Sequence, residues 1–127
     1  MSKCFLILGS LNMAAVIMLG AFAAHGLKAR LDTYALGVFQ TAVEYQAYHA
    51  FGLLIIGLIG LTVPSLSAST GFKVSGWLML CGILFFSGSL YALALTGTKW
   101  LGAITPIGGT LFIIAWINLA VVLWRQL

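Results

Sequence analysis

Acidic side chains are almost missing: Asp32 and Glu44 are the only two in a chain of 127 residues. Charged residues of either sign make up 6% and hydrophobic ones 62%. A soluble globular domain carries about 25% charged residues, so that class is excluded and a single-domain integral membrane protein is expected. The six cations form no run, which argues against nucleic acid, because that partner needs a clustered basic footprint. Membrane lipids with anionic headgroups are the expected counterions. The two cysteines, Cys4 and Cys81, lack metal-ligand or redox spacing and read as small apolar packing residues. The two histidines, His25 and His49, stand without a supporting Cys, carboxylate or C-x-x-C-H pattern. No metal, haem or other cofactor is therefore expected.

Long apolar runs fill the space that charge leaves. Crossing a hydrocarbon core takes roughly 20 apolar residues as a helix. Spans are expected at about 5–24, 44–63, 74–95 and 104–124. None alternates apolar and polar residues as a barrel strand does. The A-x-A pattern at Ala21–Ala23 follows an apolar stretch longer than the roughly 7–15 residues of a cleavable signal, so the first span is read as retained. Between spans one and two, Leu27, Leu31, Tyr34 and Val38 recur at helical spacing with Lys28, Arg30 and Asp32 on other faces. This pattern predicts a short amphipathic helix over about 27–40, lying in the interface. The expected fold is thus an all-α four-transmembrane-helix bundle with one interfacial helix, residues 1–127 forming one domain.

Connectivity sorts the polar residues. Even span number puts both termini on one side, and the opposite side collects His25, Arg30, Glu44, Gln46, Tyr48, His49, Tyr91 and Thr105. Lysines and arginines divide three against three between the sides, so charge does not orient the chain. The apolar run after His49 spans only about 21 Å, so the second span must begin near Glu44, with His49 about 7.5 Å deeper. Those two residues lie about 140° apart around the helix, so each should meet a partner from another element. Glu44 is expected to reach Arg30, Lys28 or Lys99, and His49 to reach Ser87, Ser89 or Tyr91. Two readings stand for this cluster: a structural ion pair with an aromatic belt, or a polar vestibule for a headgroup, solute or proton. Ser87 and Ser89 either pack or line the same vestibule. Pro106 sits either in the first turn of span four or in a broken segment with free backbone groups. Asn12 and Asn118 are expected to hydrogen-bond between spans one and four as structural polar residues.

Four segments together, "GAFAAHGL" (20–27), "YQAYHA" (45–50), "FSGSLYALALTG" (86–97) and "LGAITPIGG" (101–109), resemble the domain-of-unknown-function family 423. Those small bacterial membrane proteins are also called uncharacterized protein family 0382, and animal transmembrane protein 256 is similar to them. The resemblance covers nearly the whole chain in order. It points to Gly20, His25, Gly26, Gln46, His49, Ser87, Gly88, Ser89, Tyr91, Thr105, Pro106, Gly108 and Gly109 as motif positions. Ala23 stands where the family usually has glycine, which bears on how closely span one packs there. The resemblance implies a multi-pass protein of the bacterial cytoplasmic (inner) membrane. The family's basic C-termini favour both termini in the cytoplasm. It implies no activity.

Three functions remain in competition. The first is a small accessory or structural membrane protein acting through helix–helix or lipid contacts, with itself or a protein partner. The second is a homo-oligomeric transporter or channel-like protein for protons or a small solute, using Glu44 and His49. The third is an intramembrane enzyme, disfavoured because no nucleophile, base and orienting group fall together.

Overall fold

The computed structural model describes all residues 1–127 and is helical throughout, with no strand. Four long helical segments, Ser2–Leu27, Thr33–Thr62, Thr70–Thr96 and Lys99–Gln126, are each long and apolar enough to cross a membrane. The first is helix α1 (Ser2–Phe22) prolonged by a π-helical turn, Ala23–Leu27. Helix α2 (Thr33–Thr62) is continuous, and a one-turn helix α3 (Pro64–Ser67) follows it. The third span joins α4 (Thr70–Gly82) to α5 (Gly88–Thr96) through a second π turn, Ile83–Ser87. A 3₁₀ turn, Lys99–Ala103, leads into α6 (Thr105–Gln126).

Local chemistry sets the boundaries. Asp32 caps α2, its carboxylate accepting from Ala35 N–H at 2.7 Å, and Ser69 caps α4 by accepting from Phe72 N–H. Gly97 closes α5 in the left-handed conformation, φ 70°, which only glycine adopts without a Cβ penalty. Pro106 lies in the first turn of α6, where its missing N–H leaves no helical bond unmade. The broken-segment alternative for residues 105–109 is therefore set aside.

The expected separate interfacial helix is not formed. Residues 33–40 are the first turns of α2, whose 30 residues give a rod of about 45 Å, the full thickness of a bilayer with its headgroups. The reason is protein burial. Phe39 is fully enclosed with Ala23, Leu27 and Ala94, and its ring meets Tyr91 edge-on at 4.9 Å. An apolar side chain covered by neighbouring helices has no need of the lipid interface. Tyr34, on the same apolar stripe as Leu27, is left exposed by the protein.

Packing places α2 at the centre. Helix α1 lies along α2, and α6 along α4, while α2 also touches α4 and α5. Close approach of α1 and α2 uses glycine: a Cβ at Gly9 would stand 2.9 Å from the Ala50 carbonyl oxygen, and one at Gly57 would stand 2.9 Å from that of Ser2. The main core gathers Phe5, Leu53, Ile56, Phe72, Met79 and Phe112 with their neighbours.

Candidate functional site

Near the middle of the bundle, side-chain polar groups link three spans. Tyr91 O–H donates to Gln46 Oε1 at 2.7 Å, and Gln46 Nε2 donates to Asn12 Oδ1 at 2.9 Å. Asn12 Nδ2 in turn donates to the Leu8 carbonyl at 2.9 Å, which ends the chain on backbone. Gln46, the middle link of this relay from α5 through α2 to α1, is buried at 7% exposure, and its two ends, Asn12 and Tyr91, are half-buried. Tyrosine is both donor and acceptor, and each amide presents one face to each neighbour, so no member is left unpaired.

His49 is held apart from that chain. Its Nδ1 lies 2.7 Å from the Tyr45 carbonyl, and its Nε2 accepts from Trp116 Nε1–H at 3.0 Å. A carbonyl only accepts and an indole only donates, which assigns the neutral Nδ1–H tautomer. Phe112 stacks flat on the imidazole at 3.4 Å, with 9° between planes. His49 lies near the middle of α2, 16 residues after Thr33 and 13 before Thr62, so on a helix that crosses the bilayer it sits well inside the core. A histidine near mid-membrane is therefore covered by two aromatic rings of α6 and has both nitrogens engaged.

The serine–threonine pair ties the other contacts. Ser87 Oγ donates to the Ala42 carbonyl at 2.8 Å, joining the π turn to α2. Ser89 Oγ donates to the Phe86 carbonyl at 2.9 Å and meets Thr105 Oγ1 at 2.6 Å, so Thr105 supplies the proton of the second bond. Gly108 lies against the backbone of Phe85 and Phe86 inside that π turn, where a Cβ would fall 2.7 Å from Phe86 Cα. The "FSGSLY" and "ITPIGG" motifs thus meet backbone to backbone.

Of the expected site residues, the structure gathers Gln46, Tyr91 and Asn12 in one chain, Ser87, Ser89 and Thr105 around the π turn, and His49 against α6. His25, Arg30, Glu44, Tyr48 and Pro106 are exposed. Glu44 lines a shallow hollow with Gly20, Ala24 and Gln40, with no cation among its walls, so the expected ion pair with Arg30, Lys28 or Lys99 is not made. Lys99 borders a different hollow, together with Asp32. His49 does not reach Ser87, Ser89 or Tyr91, because its ring faces α6. The expected Asn12–Asn118 bond is likewise absent: Asn118 donates to the Gly71 carbonyl at 2.8 Å and to Ser75 Oγ at 2.7 Å. Helix α1 packs on α2 and α6 on α4, which keeps the two asparagines apart. Sequence reasoning missed Trp116 and Phe112. Their only signal was aromatic residues four apart on span four, at the depth of His49.

Every buried side-chain nitrogen and oxygen has a hydrogen-bond partner. None of the five principal hollows is lined by His49, Gln46, Ser87 or Tyr91. No group of three or more His, Cys, Asp or Glu side chains is arranged to hold a metal ion. These features define a class: a four-helix polytopic membrane protein closed around an internally satisfied polar cluster.

The chain belongs to the family described as "Protein of unknown function (DUF423)", whose model matches residues 19–109 and so takes in all four motifs. It is 50% identical over 121 residues to a UPF0382 membrane protein of Staphylococcus epidermidis, covering 94% of this chain and 93% of that one. A UPF0382 membrane protein of Staphylococcus aureus is 49% identical over 125 residues, with 97% of each chain covered. The UPF0382 membrane protein YwdK of Bacillus subtilis is 45% identical over 119 residues, with 94% of each covered. No solved structure matches. The family resemblance read from the motifs is borne out, and these names carry no biochemical activity.

Proposed function

We propose that the protein is a non-enzymatic accessory or structural membrane protein, acting through helix and lipid contacts, and that its polar cluster locks the bundle together. The observation that carries this reading is the internal pairing of Gln46, Tyr91, Asn12, His49 and Ser87, none of which lines the five principal hollows. Proton relays need a wet or exchangeable path, whereas both His49 nitrogens are committed to fixed protein partners. A nucleophile would need a free base, and the Nε2 lone pair is taken by Trp116. The bacterial relatives support a place in the cytoplasmic membrane, and the basic C-termini of the family favour both termini in the cytoplasm. A C-terminal green fluorescent protein fusion should then fluoresce and an alkaline phosphatase fusion should stay inactive.

A second reading rests on Glu44. This exposed carboxylate has no cation in its hollow and lies about 7.5 Å nearer the interface than His49. Between protomers of a homo-oligomer it would face a shared path for protons or a small cationic solute. Proteoliposomes loaded with a pH-sensitive dye separate the two. The structural reading expects no flux above empty vesicles under a pH gradient. Flux that Glu44→Gln abolishes would replace it with the oligomeric carrier.

A further inference from the structure

We propose that the acid-free end of the bundle binds the phosphate headgroup of an anionic phospholipid, with an acyl chain laid along α1. At that end, Ser2, Lys3, Pro64, Ser67 and Lys73 line one hollow of about 400 Å³ over Gly60. Both acidic residues of the chain lie at the opposite end, where Asp32 caps α2 and Glu44 faces Gly20. Two ammonium groups border the same hollow and no acidic side chain lines it, which leaves a positive potential for an anion to offset. Lys73 is half-buried, so water only partly screens it.

The second observation gives the ligand its tail. Another hollow of about 400 Å³ shares Lys3 with the first and continues along α1 past Cys4, Ile7 and Leu8. Its walls below Lys3 are apolar, and α1 is the least covered of the four spans. A cationic hollow at the membrane surface opening into an apolar groove along a spanning helix complements an anionic phospholipid. The phosphodiester carries one negative charge and accepts from the Lys3 and Lys73 ammoniums, while its glycerol and one chain follow the groove. A free phosphate would occupy the first hollow and leave the second empty. This inference does not depend on the polar cluster being structural.

The test uses the purified full-length protein, delipidated in a non-ionic detergent, with bound lipid counted by native mass spectrometry. Phosphatidylglycerol, phosphatidylcholine and inorganic phosphate are titrated separately. The expected result is one phosphatidylglycerol bound in preference to phosphatidylcholine, with phosphate alone giving no comparable occupancy. Each lysine near an anionic lipid is worth about fivefold in affinity, so K3Q/K73Q should weaken binding about thirtyfold and each single substitution about fivefold. The singles carry the test if the double variant does not fold. K28Q/R30Q, which removes the same charge from the other end, should bind as the parent does. Equal binding of phosphatidylcholine, equal loss in K28Q/R30Q, or unchanged binding in the K3Q and K73Q variants would overturn the site. Phosphate binding as tightly as the lipid would overturn the lipid as its occupant.

Discussion

Replacing Gln46 by leucine removes the middle link between α1, α2 and α5 while keeping most of the side-chain volume. Two bonds are lost, the 2.7 Å bond from Tyr91 O–H and the 2.9 Å bond to Asn12 Oδ1. Hydrogen bonds between membrane helices average about 0.6 kcal/mol and reach about 1.7 kcal/mol, so Gln46→Leu should cost about 1–3 kcal/mol. Tyr91→Phe breaks only the first bond and should cost about 0.6–1.7 kcal/mol. Once Gln46 is gone, the Tyr91 hydroxyl has nothing left to lose. The double variant should therefore be less destabilised than the sum of the singles by about 0.6–1.7 kcal/mol. Reversible unfolding in mixed micelles, followed by tryptophan fluorescence, measures all four corners of the cycle. Thr41→Val, which removes an exposed bond within α2, serves as the near-neutral control. Additivity within about 0.3 kcal/mol, or a Gln46→Leu variant as stable as the parent, would refute the coupled chain.

Two further substitutions test the packing and the revised start of α2. Gly108→Ala places a methyl against the Phe85–Phe86 backbone and should destabilise by about 1–3 kcal/mol, because backbone yields less readily than a side chain. Gly109→Ala, whose Cβ would lie 3.6 Å from the Phe86 ring, should be far milder in the same unfolding assay. Asp32→Ala removes the α2 cap and should cost about 1 kcal/mol, with Asp32→Ser restoring most of it. An unchanged Asp32→Ala variant would mean that α2 does not begin at Thr33.

What could be read in advance follows from what is local. Four apolar runs specify four spans because crossing the hydrocarbon core depends on length and composition, whereas the missing N–H of Pro106 fitted both a first turn and a broken segment, and the structure chose the first turn. The interfacial helix failed because the apolar stripe of residues 27–40 says how much surface wants burial, not what buries it. Phe39 met Ala23, Leu27 and Ala94 instead of lipid. The polar residues were legible as a set, since Gln46, Tyr91 and Ser87 all sit within motifs. Their pairings were not, because the rotation of α6 about its axis decides whether His49 meets Trp116 or a serine, and no single helix encodes that angle. The π turns at Ala23–Leu27 and Ile83–Ser87 shift the helical register by one residue within otherwise ordinary sequence. Their effect on which side chains face inward could not be counted at 100° per residue.

The central claim is that the polar cluster at mid-membrane is dry and holds the bundle together. Water-edited solid-state NMR of the ¹⁵N-labelled protein in bilayers tests it at single side chains. The account predicts strong transfer of polarisation from water to the exposed His25 ring, and none to the His49 ring or the Gln46 amide. Rapid transfer from water to His49 and Gln46 would contradict it and put a solvated pathway in its place.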